Sequence, residues 1–195
     1  MLGKTALLEL LAGKNRGLLA TETDRQAILA AIVQLEERNP TPNPLSALDW
    51  LDGNWRLLYT TSEELLRIDQ IPFLKLGQIY QFIRAETGML YNIAEVYGIP
   101  YLEGMVSVVA GFEPVSPCRV KVRFQRGIVG SQRLIGYRSP EAFIQEIESG
   151  RRFPAIDFRI TATEQRGWLE ITYLDQDLRI GRGNEGNLFV LTKMR

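Results

Sequence analysis

Asp175 and Asp177 are the side chains whose spacing first invites a chemical reading. Two residues apart in YLDQDLRIGRGNEGNLFVL (173–191), they share one face of any continuous strand, and Glu170 and Glu95 could approach them across a sheet. Two acids held close do general acid–base work when one has a raised pKa. The same pair caps a bend or forms ion pairs, and that reading fits its turn-rich neighbourhood better. Histidine is absent and cysteine occurs once, so a histidine base, a Cys/His nucleophilic pair, a zinc finger and a disulfide framework are excluded. Gly181-x-Gly183-x-x-Gly186 formally matches a phosphate loop. The NLFVLTK that follows has a strand pattern, however, and a nucleotide loop must open a helix. A hairpin with positive φ at glycine or asparagine is the better account. Neither a metal nor an organic cofactor is called for.

Charge is balanced at 23 basic and 23 acidic residues, which argues against a nucleic-acid partner needing a broad positive surface. Locally the balance fails. Arg119, Lys121, Arg123, Arg126, Arg133 and Arg138 occur with no acid among them, as a solvated hairpin face or as a contact for anionic headgroups or an acidic partner. No apolar run reaches the length of a membrane-spanning helix, and Glu9 interrupts the N-terminal leucines where a secretory signal would stay apolar. The chain reads as soluble and resident where it is made.

The elements that position these residues change period near Pro44. Before it, Lys4–Leu11 and Asp24–Arg38 are helical, the second with Ile28, Ala31, Ile32 and Leu35 on one stripe; Thr23/Gln26 or Thr21/Asp24 caps it. After it the period is about two, with strands expected at 55–60, 79–85, 90–97, 105–112, 119–125, 156–161, 168–174, 178–180 and 187–193. One short helix, Pro140–Glu148, interrupts them. Short strands without intervening long helices indicate antiparallel pairing, and closure removes exposed edges. The expectation is a mainly β fold, a lipocalin-like antiparallel barrel of eight or nine strands carrying an N-terminal helical pair and one short later helix. Residues 1–44 form the helices packed on the barrel and 45–195 the barrel itself.

LDGNWRLLYTTS (51–62) and YLDQDLRIGRGNEGNLFVL together resemble the plastid lipid-associated proteins, also called fibrillins or plastoglobulins. The resemblance implies a lipocalin-like barrel associated with plastoglobules, thylakoids, carotenoids and quinones, and no enzymatic activity. Without a long transit peptide or an acidic disordered N-terminal region, the chain reads as a cyanobacterial representative or a trimmed mature domain, cytoplasmic or peripheral to thylakoids or lipid droplets. Gly53-x-Trp55 is similar to the opening signature of lipocalins, in which a tryptophan closes one end under an arginine. Arg179 is the first candidate for that arginine and Arg182 the second, since a guanidinium stacked on an indole gains cation–π attraction. Asp175, Asp177, Gly183 and Gly186 would then set the bends of the closing unit.

The implied partner is a small hydrophobic molecule or lipid, with peripheral membrane contact and no defined oligomeric state. Ligand sites are apolar with a few placed polar groups. Tyr59, Phe82, Tyr91, Tyr97, Phe112, Phe124, Phe158 and Tyr173 are the candidate wall aromatics, with Glu95, on the face of Ile93 and Tyr97, the polar candidate. The apolar stretch Tyr59–Leu76 reads as a cover over the core, a lid at an entrance, or a membrane-contact loop. The leading functional expectation is non-catalytic binding, storage or transport of hydrophobic molecules. The alternative is a structural protein with a filled interior, acting through its exterior.

Overall fold

A computed structural model describes residues 2–70, 73–98, 103–161 and 167–194. Nine strands run β1 Gly53–Thr60, β2 Lys75–Arg84, β3 Met89–Tyr97, β4 Gly104–Pro114, β5 Arg119–Ser131, β6 Ile156–Arg159, β7 Trp168–Leu174, β8 Leu178–Gly183 and β9 Leu188–Lys193. Every pairing is antiparallel, and the sheet order is β4-β3-β2-β1-β9-β8-β7-β5-β6 with an additional β4–β5 ladder.

This arrangement corrects the expected lipocalin-like barrel. A closed barrel leaves no edge, whereas here the sheet forks at β5. The first part of that strand, Arg119–Lys121, pairs β7, while Arg126–Val129 pairs β6, which has no second neighbour among the described strands and remains an edge. The fork arises because β5 is 13 residues long and its two partners are short. The helical complement is also larger than a pair plus one. The α-helices are α1 Leu2–Leu11, α2 Glu22–Glu36, α3 Leu48–Leu51, α4 Glu63–Leu66, α5 Gln132–Ile135 and α6 Pro140–Glu148, with 3-10 turns at Pro44–Ser46 and Arg67–Gln70. Helices of one turn carry no readable period, so sequence alone registers only the longer three.

Of the two possible caps for α2, the structure uses the second. Thr21 accepts a hydrogen bond from the Asp24 backbone N–H, and the Asp24 carboxylate accepts one from Thr21, a reciprocal capping box. Lys14 sits 2.9 Å from the same carboxylate, and these hydrogen bonds lower its pKa to about 2. For α6, Pro140 occupies the first turn and Ser139 accepts from the Ala142 N–H.

Both faces of the sheet are covered. One face, here called inner, gathers Trp55, Leu57, Ile79, Ile83, Leu90, Ala94, Ala110, Val120, Val122, Ile171 and Leu191 into one cluster drawn from strands far apart in the sheet order, so the sheet is strongly curled. The outer face holds two more clusters. α1 and α2 pack Leu7, Ile28, Ile32 and Leu35 against β7, β8 and β9, while α6 packs Phe143, Ile144 and Ile147 against β2 to β5.

Bulges decide which face several residues take. Between Leu57 and Tyr59 the β1–β9 register shifts, and the same happens between Ile171 and Tyr173 on β7. One extra residue reverses the alternation, so Trp55, Leu57 and Ile171 face inward while Tyr59 and Tyr173 lie under the N-terminal helices.

The β8–β9 hairpin tests the glycine reading at a single position. Gly186 has φ +73°, the left-handed region that L-residues with branched side chains resist, whereas Gly183 adopts no positive φ and a Cβ there meets only ordinary contacts from 3.5 Å. Only one of the two expected bend glycines therefore needs to be glycine for its backbone. Gly186→Val is expected to lower stability by about 1–2 kcal/mol and Gly183→Val by about 0.5 kcal/mol or less. Equal denaturant midpoints for the two variants would contradict the assignment.

Candidate functional site

The inner face is apolar except for a small polar set near the start of β1. Trp55 is fully buried and donates its indole N–H to the Leu51 carbonyl at 3.0 Å. The Arg179 guanidinium carbon lies 4.9 Å from its ring centre and Lys193 Nζ lies 5.3 Å from it. Arg179 is itself buried and donates to Gln81 Oε1; Gln81 in turn donates to Asn92 at 2.8 Å. Burial lowers the Arg179 pKa to about 9. Arg182 points elsewhere: it forms a bidentate pair with Glu36 on α2, at 2.9 and 2.7 Å, which fastens the helix to β8.

Both ends of this face are stoppered. At the start of β1, Leu45 and Leu51 pack on the inner cluster, and Gly53, at φ +121°, turns the chain from α3 into the strand. Beyond its end, Leu65, Leu66 and Ile68 from α4 and the following 3-10 turn pack on the same cluster, joined by Leu18. This strap is the stretch read as a cover, lid or membrane loop, although Ile71 and Pro72 within it lie outside the described residues. It is fastened at its far end by Asp69, which accepts the Leu76 N–H at 2.9 Å. Arg16, from the α1–α2 connection, donates to the Leu76 carbonyl at 2.7 Å.

The candidate wall residues do not converge on one surface. Phe112 packs against the inner cluster, and Phe124, paired with inner-facing Ala110, is 39% exposed. Tyr59 and Tyr173 lie under α1 and α2, and Phe82 and Tyr91 lie under α6. Phe158 is 48% exposed on the edge strand and covers Gly127. Tyr97 is 47% exposed. Glu95 lies on the outer side of β3, where its two oxygens accept hydroxyl hydrogen bonds from Tyr97 at 3.0 Å and Tyr137 at 2.8 Å. Desolvation, reinforced by Glu95, pushes the Tyr137 pKa far above the ordinary phenol value. Glu95 thus ties the segment after α5 to the sheet, and Tyr137 had no signal in sequence beyond its residue type.

No acid–base pair assembles around Asp175 and Asp177. Lys4 stands between them, 2.8 Å from Asp175 and 3.7 Å from Asp177, while Glu170 accepts from Arg119 at 3.1 Å on a different part of the sheet. Three of the six residues of the basic run are answered by acids on neighbouring strands: Arg119 by Glu170, Arg123 by Glu113 at 3.8 Å and Arg126 by Asp157 at 2.7 Å. Among the described residues no cluster of three or more histidine, cysteine, aspartate or glutamate side chains is placed to hold a metal, and no helix is long and apolar enough to cross a membrane.

Among the cavities lined by described residues, two open on the surface next to the elements above. One, of about 450 Å³, lies on the outer face between β3 and the end of α6, with Met89, Tyr91, Val109 and Ile147 as its apolar part. The other, of about 430 Å³, lies beside the strap and includes Tyr59 in its wall.

A family model described as PAP_fibrillin matches residues 1–192. The chromoplast-specific carotenoid-associated protein of Cucumis sativus is 33% identical over 216 residues, covering 97% of this chain and 67% of that protein. The light-induced chloroplastic protein of Solanum tuberosum is 34% identical over 217 residues, covering 97% and 66%. The probable plastid-lipid-associated protein 2 of Arabidopsis thaliana is 33% identical over 217 residues, covering 97% and 70%. The chain thus spans about two thirds of the length of these relatives. All three are plant plastid proteins, which gives the expected cyanobacterial origin no support, and their names denote no enzyme, in keeping with a non-catalytic protein. No solved structure matches. With a family match over almost its full length and relatives above 30% identity, this chain belongs to the PAP/fibrillin family of plastid-lipid-associated proteins.

Proposed function

We propose that the protein binds, stores or carries a small hydrophobic molecule, a lipid, carotenoid or quinone, next to plastid or thylakoid lipid phases without altering it chemically. The observation that supports this reading is the strap. Leu65, Leu66 and Ile68 cover the apolar inner face from two single-turn helical segments, and such short segments depend on tertiary contacts for their stability. An apolar chain entering beneath them replaces contacts of the same kind, so the exchange costs little hydrophobic free energy. The carotenoid- and lipid-associated names of the relatives fit the same class of ligand.

Titration of the protein with a carotenoid or a short-tail quinone, followed by tryptophan fluorescence, tests it. Trp55 lies on the inner face, and the expected result is saturable quenching at about one ligand per chain. Limited proteolysis within residues 61–76 should be slowed or accelerated by the ligand as the strap re-seats. A second reading, a structural protein of the lipid phase, is favoured by the buried apolar side chains that pack together on the inner face. Vesicle or lipid-droplet association without saturable quenching would establish that reading in place of the first.

A further inference from the structure

The cavity beside the strap is lined by two arginines, three hydroxyl residues and one acid, together with Leu18 and the strap's Leu66. Arg25 of α2 and Arg67 after α4 face it, with Tyr59, Thr60 and Thr61 at the end of β1. Thr60 Oγ1 already accepts the Ser62 N–H at 3.0 Å and Thr61 Oγ1 accepts the Leu188 N–H at 2.9 Å. Each hydroxyl therefore has its own O–H left to donate. Tyr59 is buried, and both Arg25 and Glu22, one turn apart on α2, are near enough to act on its hydroxyl. Glu63 is the one acid among the lining residues; it pairs with Arg67 at 3.1 Å through one nitrogen, both side chains being largely exposed, so Arg67 has only its remaining N–H groups for a ligand. A space with two guanidinium groups and three hydroxyls suits an oxyanion. Leu18 and Leu66 line the cavity and also pack on the inner apolar cluster, so a polar group held here has an apolar path leading away from it beneath the strap.

We propose that this cavity holds the anionic head, a carboxylate or phosphate, of a single-chain amphiphile whose tail passes Leu18 and Leu66 onto the inner face. The site rests on the hydrophobic-ligand reading above and adds to it the class of head group and the residues that select it. Neither arginine has a role in the carotenoid or quinone test, because those ligands carry no anion.

The experiment measures binding of palmitate, single-chain lysophosphatidate, hexadecanol and inorganic phosphate to the whole chain and to Arg25→Gln/Arg67→Gln, with thermal melts to verify folding. Arg25→Lys, which keeps the charge, serves as a second variant where the double substitution fails to fold. Wild-type protein is expected to bind palmitate or lysophosphatidate about tenfold more tightly than hexadecanol and to bind inorganic phosphate far more weakly. The double variant should lose that preference while hexadecanol affinity holds, and Arg25→Lys should retain most of it. Equal affinity for palmitate and hexadecanol, or a preference that survives the double substitution, overturns the head-group site while leaving the hydrophobic-ligand reading intact. Inorganic phosphate binding as tightly as the amphiphiles would reveal a site for free anions and overturn the proposal as well. Failure of all four probes together with the carotenoid and quinone would remove both readings.

Discussion

Trp55→Ala is expected to lower the melting temperature by roughly 10 °C, a large effect for a single side chain here. The indole is fully buried at the start of β1, beneath Arg179 at 4.9 Å, with its N–H given to the Leu51 carbonyl. Truncating a buried tryptophan costs about 3–5 kcal/mol through lost transfer free energy and the cavity left behind. The guanidinium above it then stays buried without its aromatic face, which adds to the loss. At about 2–4 °C per kcal/mol for a domain of this size, the shift is several times the resolution of a melting curve. Trp55→Phe keeps a ring below Arg179 and forfeits the N–H bond to Leu51, so it should lose about a third as much. Trp50→Ala is the control: that side chain is 36% exposed and should change stability by about 0.5 kcal/mol or less. A Trp55→Ala protein melting within about 2 °C of wild type would show that the indole does not organise this end of the sheet.

Arg179 over Trp55 was expected through the resemblance of Gly53-x-Trp55 to the lipocalin opening, which calls for an arginine on the indole; residue type alone left Arg182 as a second candidate. Helix α6 was readable, from Pro140 at its start and Phe143, Ile144 and Ile147 on one side. Faces were another matter. Alternation sorts a strand into two sets but does not say which set is inner when both sides are covered, as for Phe82 and Tyr91 beneath α6. At Tyr59 and Tyr173 alternation itself fails, since a bulge inserts one residue that no residue type announces. The closure of the sheet was overread for a related reason. Strand count and turn chemistry contain nothing about β5 serving β7 with one half and β6 with the other. Cross-strand ion pairs were invisible in the same way: the run from Arg119 to Arg126 reads as an unopposed positive face until register brings Glu170, Glu113 and Asp157 alongside. The strap cavity joins Arg25 of α2 to Thr61 and Arg67 of the strap, segments far apart in the chain, so sequence offers them no common motif.

Asp175→Ala should cost about 2–3 kcal/mol at neutral pH, and the cost should shrink in acid. The carboxylate accepts the backbone N–H groups of Asp177 at 2.8 Å and Leu178 at 2.7 Å, the Tyr173 hydroxyl at 2.8 Å and the Lys4 ammonium at 2.8 Å. It therefore fixes the β7–β8 bend and fastens α1 to it in one group. Removing it strands two backbone donors and a tyrosine hydroxyl that are only partly open to water, each worth about 1 kcal/mol or more when left unpaired. Desolvation acts to raise the Asp175 pKa, but the bonds from Lys4, the two N–H groups and Tyr173 outweigh it, so the folded-state value lies below the ordinary aspartate range. The sign follows: the unfolded chain takes up the proton first as pH falls, and the stabilisation is full above the unfolded pKa of about 3.9. It is lost as pH drops through the lower folded value, so the gap in denaturant midpoint between wild type and Asp175→Ala should narrow once pH falls below the unfolded pKa and close when the folded carboxylate is protonated. Asp177→Ala separates the cap from mere negative charge, because Asp177 is 48% exposed and stands 3.7 Å from Lys4. It should cost about 0.5 kcal/mol. A difference between wild type and Asp175→Ala that stays constant from pH 7 to 2 would mean the carboxylate's hydrogen bonds do not hold this bend, and that Tyr173 and Lys4 are placed by packing alone.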